Sequence, residues 1–237
     1  MRVAIHQPQY WPWPLYIHKV MSADIFVYLD LVQFSKNGVQ NRNRVKTARG
    51  ASWLTLPIRH NFGQSILETK IADPKVLHKH LKTLAANYAH TRGYQRWRDE
   101  LHAVLHMQTD SLCDVAIAST EWMLEKLGVQ THRLRASEIP DAKGHGSVLI
   151  ASICESLKAT SYLTGSGALP YMKQDNFSGI RCKIWVQESN VFVYEQVFPE
   201  IGFIPDLSAL DLLLNCPDTA EQLIQSSGNW KLLWEAL

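Results

Sequence analysis

Residues 2–46, RVAIHQPQYWPWPLYIHKVMSADIFVYLDLVQFSKNGVQNRNRVK, decide how the rest of the chain is to be read. Arg2 to Ile5 have the β-branched content of a strand, and Ile25 to Leu29 (IFVYL) read as a second, buried strand. Only a short helix fits between them, over Tyr16 to Ala23. Pro8, Pro12 and Pro14 fix φ and remove backbone donors, which stiffens the loop after the first strand. His6, Gln7, Tyr10, Trp11 and Trp13 are thereby expected at a strand's carboxyl end, where open α/β sheets place ligands. If the two strands are parallel, Asp30 reaches the same edge.

Downstream of Asp30, the run Gln33, Phe34, Ser35, Lys36, Asn37, Gly38, Val39, Gln40, Asn41, Arg42, Asn43, Arg44 is almost wholly donors and acceptors, with Gly38 as a turn signal. Amides both donate and accept, and guanidinium forks bind oxyanions, so this density suits sugar hydroxyls or phosphate. A solvated hairpin is the alternative, and the run's position after Asp30 favours ligand contact. Trp53 to Ile58 alternates as a third strand, paired near Val45, and Ser65 to Ile71 is a short strand or extended run.

From Pro74 the period changes. Val76, Leu77, Leu81, Leu84 and Tyr88 recur at helical spacing, further helices follow over Gln95 to Met107 and Leu112 to Leu127, and Gly128 stops the last. A helical segment is thus expected around residues 74–128. His102 and His106 share the i, i+4 spacing of helix metal sites, but HExxH is missing and no structural metal is expected. Val129 to Leu134 returns to the sheet. Val148 to Leu157 forms an apolar helix after GHGS, which reads as an N-cap by Ser147 or as a cradle for an anion. Ser161 to Thr164 is a strand running into Gly165, Ser166 and Gly167, where two glycines allow close backbone approach to a ligand. GSG lacks the GxSxG of a serine nucleophile. Ile180 to Val186 and Val191 to Tyr194 read as strands, and Phe203 to Asn215 enters a helix.

The stretches HQPQYWPW, YIHK, FVYLD, VQFSKNGVQNRNRVK and WLTLPI, with ATSYLTGSGALPYM and FIPDLSALDLLLN further on, resemble the WbqC-like protein family, found in bacterial O-antigen and related surface-glycan gene clusters. Members commonly carry glycine where this chain has Leu15, a departure that bears on close backbone approach there. The start also resembles nucleotidyltransferases and pantothenate-synthetase-like ligases, whose first strand leads to HxGH, a helix and a second strand near an aspartate. Trp13, Pro14, Leu15 and Tyr16 stand in the corresponding stretch, without either histidine.

The expected architecture is one α/β domain over residues 1–237, with a central mostly parallel sheet, a nucleotidyltransferase-like βαβ start and the helical segment inserted at about 74–128. At 46% hydrophobic and 19% charged residues the composition is that of a folded protein. A formal charge of +2 supplies little counterion-release affinity, so nucleic acid is disfavoured. Cys113, Cys154, Cys182 and Cys216 form no CxxC, and the absence of a signal-like start or a long apolar run predicts a cytoplasmic protein without membrane insertion.

The resemblance implies an enzyme of surface-polysaccharide precursor synthesis, transferring an acyl or aminoacyl group to an amino sugar, with ATP drawn in if activation passes through an adenylate. His6, Lys19 and Asp30 are the candidate catalytic residues. Gln7, Tyr10, Trp13, Tyr16, Gln33, Gln40, Asn41, Arg42, Asn43, Gly165, Ser166 and Gly167 are the candidate substrate contacts. A small molecule, a nucleotide sugar or an amino sugar, is the expected partner; oligomeric state is left open. The alternative is a non-catalytic protein that binds a nucleotide sugar or glycan and assists a biosynthetic complex.

Overall fold

The structure, a computed structural model, describes residues 1–36, 38–59, 61–177 and 180–235. Asn37, part of the polar run, lies outside the described residues. In chain order the elements begin with β1 (Arg2–His6), α1 (Pro14–Ser22), β2 (Ile25–Tyr28), β3 (Arg42–Thr47), β4 (Gly50–Thr55), β5 (Ile58–Arg59) and β6 (Lys70–Ile71). Three helices follow, α2 (Val76–Tyr88), α3 (Arg92–Val104) and α4 (Leu112–Lys126). The chain then forms β7 (His132–Arg135), α5 (Ser147–Ser156), β8 (Ser161–Gly165), β9 (Lys183–Ser189), α6 (Ala209–Asn215), α7 (Ala220–Ser226) and β10 (Gly228–Glu235).

Six strands form the main sheet in the order β10-β9-β8-β1-β2-β7. All neighbours are parallel except β10, which runs antiparallel to β9 and closes one edge. The alternation of β1 decides what lies on each face. Val3 and Ile5 join Val27, Leu29, Tyr162 and Ile184 under α5, through Leu149, Ile150 and Ile153. Ala4, Phe26 and Leu163 face the other way, toward Tyr16, Ile17 and Val20 of α1 and a core shared with α2, α3, α4 and α6. Each fully buried aliphatic side chain contributes on the order of 1.5–3 kcal/mol of burial energy. Helices on both sides leave β1 buried along Val3, Ala4 and Ile5, between an exposed Arg2 and a half-buried His6.

The chain leaves β1 toward β2 and β7 on one side, and leaves β8 toward β9 and β10 on the other. The boundary between β1 and β8 is therefore the topological switch point, where sheets of this kind open a crevice at their carboxyl ends.

Several elements differ from expectation. Residues 191–194 form no strand: Val191 is 99% exposed, and β9 already has β8 and β10 as neighbours. The helix expected from Phe203 begins only at Ala209, because Pro205 and the positive φ of Asp206 (56°) hold the chain out of helical geometry until Ser208 caps Leu210 N at 3.1 Å. Of Ser65 to Ile71, only Lys70–Ile71 is a strand. Ser147 is the first residue of α5 rather than its cap; Gly146, at φ 56°, takes that place. Among the described residues no helix is long and apolar enough to cross a membrane.

Candidate functional site

The loop from Gln7 to Trp13 is held by its backbone. Trp11 is fully buried at φ 47°, a conformation that costs a non-glycine residue roughly 1–3 kcal/mol. Three contacts impose it: Trp11 N donates to Ser119 Oγ (3.0 Å), and Trp11 O accepts from Asn43 Nδ2 (2.8 Å) and Ser208 Oγ (2.6 Å). Thr120 Oγ1 donates to Gln9 O at 3.2 Å. Hairpin β3-β4, α4 and the start of α6 thus grip one turn from three sides and fix the direction in which α1 leaves, with Pro14 at its first position.

At the end of β1, His6 is half-buried and pairs in register with Tyr28 of β2. Its Nδ1 donates to Gln7 O at 3.2 Å, which leaves Nε2 as the acceptor nitrogen, and its ring meets Tyr16 edge-on at 4.9 Å. Desolvation, and then the charge of Lys19, push the His6 imidazole down to about 3, so it stays neutral. Lys19, one turn into α1, is only 2% exposed, and no hydrogen bond or ion pair holds its amine among the described residues. Burial alone pushes it down to about 7. Beneath it lies Gly165 at the end of β8, where a Cβ would stand 2.9 Å from Lys19 Nζ. Gly165 makes room for the amine at the carboxyl end of β8.

Behind Lys19, His18 Nδ1 accepts from Gln187 Nε2 at 2.8 Å, the same nitrogen donating to Leu15 O at 2.9 Å. His18 also stacks on Trp230 at 5.8 Å, and burial lowers its pKa. These contacts tie α1 to β9 and β10. Nothing in local sequence pattern announces His18 or Gln187, because their partners are 169 residues apart.

The expected polar contacts divide into two sets. His6, Lys19, Tyr16 and Gly165 converge; Ser166 and Gly167 follow, exposed, on the β8 turn, and Tyr16 Oη donates to Gln7 O at 3.2 Å. Gln7 Oε1 accepts from Gln40 Nε2 at 2.7 Å, and Gln40 Oε1 accepts from Ser35 N at 2.8 Å. Asp30 shares the carboxyl edge but is fully buried, with its two oxygens taken by Ser137 N (3.0 Å) and Ser137 Oγ (2.6 Å). Tyr10 is fully buried against His80 Nδ1 at 2.8 Å, whereas Trp13 is 37% exposed. Asn41 and Asn43 spend their amides on Leu56 O and Trp11 O. Gln33 is exposed and bridges Ser65. Arg42 lies over the half-exposed ring of Trp53 at 4.4 Å.

Away from this edge, His102 and His106 stack at 6.0 Å, and His106 Nδ1 donates to the His102 carbonyl at 2.7 Å. His78 meets His106 edge-on at 4.4 Å, beside a cavity of about 480 Å³ between the start of α2 and residues 105–110. Among the described residues no group of three or more acidic, cysteine or histidine side chains is placed to hold a metal. The four cysteines are free.

A model of the WbqC-like protein family matches residues 7–222. An uncharacterized protein of Mycobacterium tuberculosis is 30% identical over 218 residues, 90% of this chain and 93% of that one. No solved structure matches. The matched span runs from the residue after His6 to the middle of α7, taking in α1, the Trp11 turn and the Gly165 strand end, and the chain belongs to the WbqC-like protein family.

Proposed function

We propose that the protein is an enzyme of bacterial surface-polysaccharide precursor synthesis that transfers an acyl or aminoacyl group to an amino sugar carried on a nucleotide, at the carboxyl edge between β1 and β8. One observation carries the reading: a neutral imidazole and an unpaired buried amine meet at the switch point of a doubly wound sheet, over a glycine. The surface-glycan setting rests on the family alone.

In this reading the acceptor nitrogen of the His6 ring, Nε2, takes the hydrogen bond of the incoming sugar amine and orients its lone pair toward the acyl carbon; the N–C bond forms as the bond from the acyl carbon to its donor breaks, and the departing donor group carries away the amine's proton. Positioned donors near developing charge commonly lower barriers by several kcal/mol, and Lys19 is the cation at hand for the phosphate charge of the nucleotide. Gln7, held by Gln40, lines the approach, and the exposed face of Trp13 offers a sugar a stacking surface. The β1–α1–β2 start supports comparison with ligases that work through an adenylate, but its turn presents Trp13, Pro14, Leu15 and Tyr16 in place of HxGH. Neither imidazole that would hold a triphosphate is there, so the donor set does not fit ATP at this turn.

A thermal-shift screen of nucleotide sugars, free amino sugars, ATP and amino acids identifies the ligand. A ligand at about 100 times its dissociation constant stabilises by roughly 2.7 kcal/mol. Mass spectrometry of a nucleotide-linked amino sugar incubated with protein and acyl donors is expected to show an acylated product. Tight binding without turnover for every donor class would favour the non-catalytic alternative.

A further inference from the structure

We infer that Lys19 Nζ, over Gly165, is the seat of a phosphate group of the ligand, so that the crevice recognises a nucleoside diphosphate by an anion placed between α1 and the β8 turn. The inference rests on the reading of this edge as the ligand site and names the chemistry it receives.

A buried cation needs a counter-charge or must lose its proton, since desolvating an unpaired ammonium costs several kcal/mol. Lys19 has no counter-charge among the described residues. The titratable groups that feel it are His6 on β1 and His18 on its own helix, both bases, and β8 contributes a glycine. Among the described residues no carboxylate supports its charge. A structural lysine at this depth would have been given an acid or a carbonyl, as Lys46 is given Gly202 O at 2.6 Å. The missing partner is therefore supplied from outside.

Phosphate fits better than carboxylate. Past Gly165 the chain enters a short 3-10 helix, Ser166–Tyr171, whose first two residues are exposed, and Ser166 Oγ makes no hydrogen bond among the described residues. A group with three acceptor oxygens can engage the amine and the hydroxyl together. Because the free amine is held near neutrality, an arriving dianion restores its proton, and binding takes up protons from solution.

The experiment is calorimetric titration of the whole protein at about pH 8 in buffers of differing ionisation enthalpy, using uridine diphosphate, inorganic phosphate, uridine and acetate. Uridine diphosphate is expected to bind with uptake of up to about one proton, inorganic phosphate more weakly, and uridine and acetate not measurably. Lys19→Met should lose about 10- to 100-fold in affinity for uridine diphosphate and lose the proton uptake, while its melting temperature rises. Gly165→Ala, whose Cβ the flexible lysine can relieve by moving, should weaken phosphate binding with the fold intact.

Unchanged affinity in Lys19→Met, binding without proton uptake, no binding of uridine diphosphate to the wild type, or equal binding of acetate would each overturn the inference. The two readings separate cleanly. Phosphate bound at Lys19 with no acylation of any amino sugar keeps the seat and removes the reaction. Acylation that persists in Lys19→Met with diphosphate affinity unchanged removes the seat and keeps the reaction.

Discussion

Two lysines of this protein are buried to almost the same depth, Lys19 at 2% exposure and Lys46 at 1%, and they sit in opposite chemical company. Lys46 lies on β3 with its amine on Gly202 O and its backbone N–H on Tyr88 Oη at 2.8 Å. Asp211, fully buried in the first turn of α6, takes the hydroxyls of Tyr88 and, at 2.8 Å, Tyr194; burial raises its pKa, and those hydroxyls together with the Lys46 N–H and charge oppose the rise. The Lys46 amine and both Asp211 oxygens are answered by other parts of the chain. Among the described residues the Lys19 amine is not. Burial by itself thus says nothing about role; what separates a joint of the fold from a candidate site is whether the chain supplies the partners.

The partnered side should break hardest. Asp211→Ala leaves the buried Tyr88 and Tyr194 hydroxyls without their acceptor, and is expected to cost about 3–4 kcal/mol in urea denaturation. A loss below about 1 kcal/mol would mean that water or a rearranged side chain replaces the carboxylate, and the contrast between the two lysines would lose its basis.

The lysines themselves should then move in opposite directions. Lys46→Met is expected to destabilise by about 1–2 kcal/mol, since it strips Asp211 of its cation. Lys19→Met should stabilise by about 2 kcal/mol near neutral pH, because it removes a desolvated amine that nothing compensates. The pH dependence has a definite sign. The folded pKa of Lys19, about 7, lies below its ordinary 10.5, so between those values the unfolded chain binds more protons and wild-type stability rises with pH. The advantage of Lys19→Met should accordingly shrink across that window. A pH-independent difference would show that the amine has another source of its effect.

Most of the frame was legible in the chain itself. β-branched runs located β1, β2 and β8, and the change to helical spacing at Pro74 located α2 to α4, because those signals are local and strong. What escaped was set by distant contacts. β10 is a strand because β9 offers it an edge, and 191–194 is not because nothing does. The same limit applies to the site. His6, Lys19 and Gly165 stand out as polar or small residues at strand ends, but the amides of Gln40, Asn41 and Asn43 look like ligand contacts in sequence and serve Gln7, Leu56 and Trp11 in the fold. Only three-dimensional accounting of each donor tells the two uses apart.

His6 offers the smallest and sharpest test of the unpartnered side. His6→Ala removes one hydrogen bond to Gln7 O and an edge contact with Tyr16, a loss of about 1 kcal/mol at neutral pH. Acid should reverse even that. The imidazole is held at about 3 against an ordinary 6.5, so below 6.5 the unfolded chain binds the proton that the folded one refuses, and wild-type stability falls as pH falls toward about 3. The alanine variant lacks that term. Its melting temperature should lie slightly below wild type near neutrality, meet it as the pH drops, and exceed it in more acidic buffer, while the ligand from the screen no longer binds at any pH. A deficit that grows with acid would show that His6 is charged in the fold and paired there, which makes it a joint like Lys46. In that case the imidazole leaves the group of unanswered residues, and Lys19 over Gly165 remains as the anchor of the proposed site.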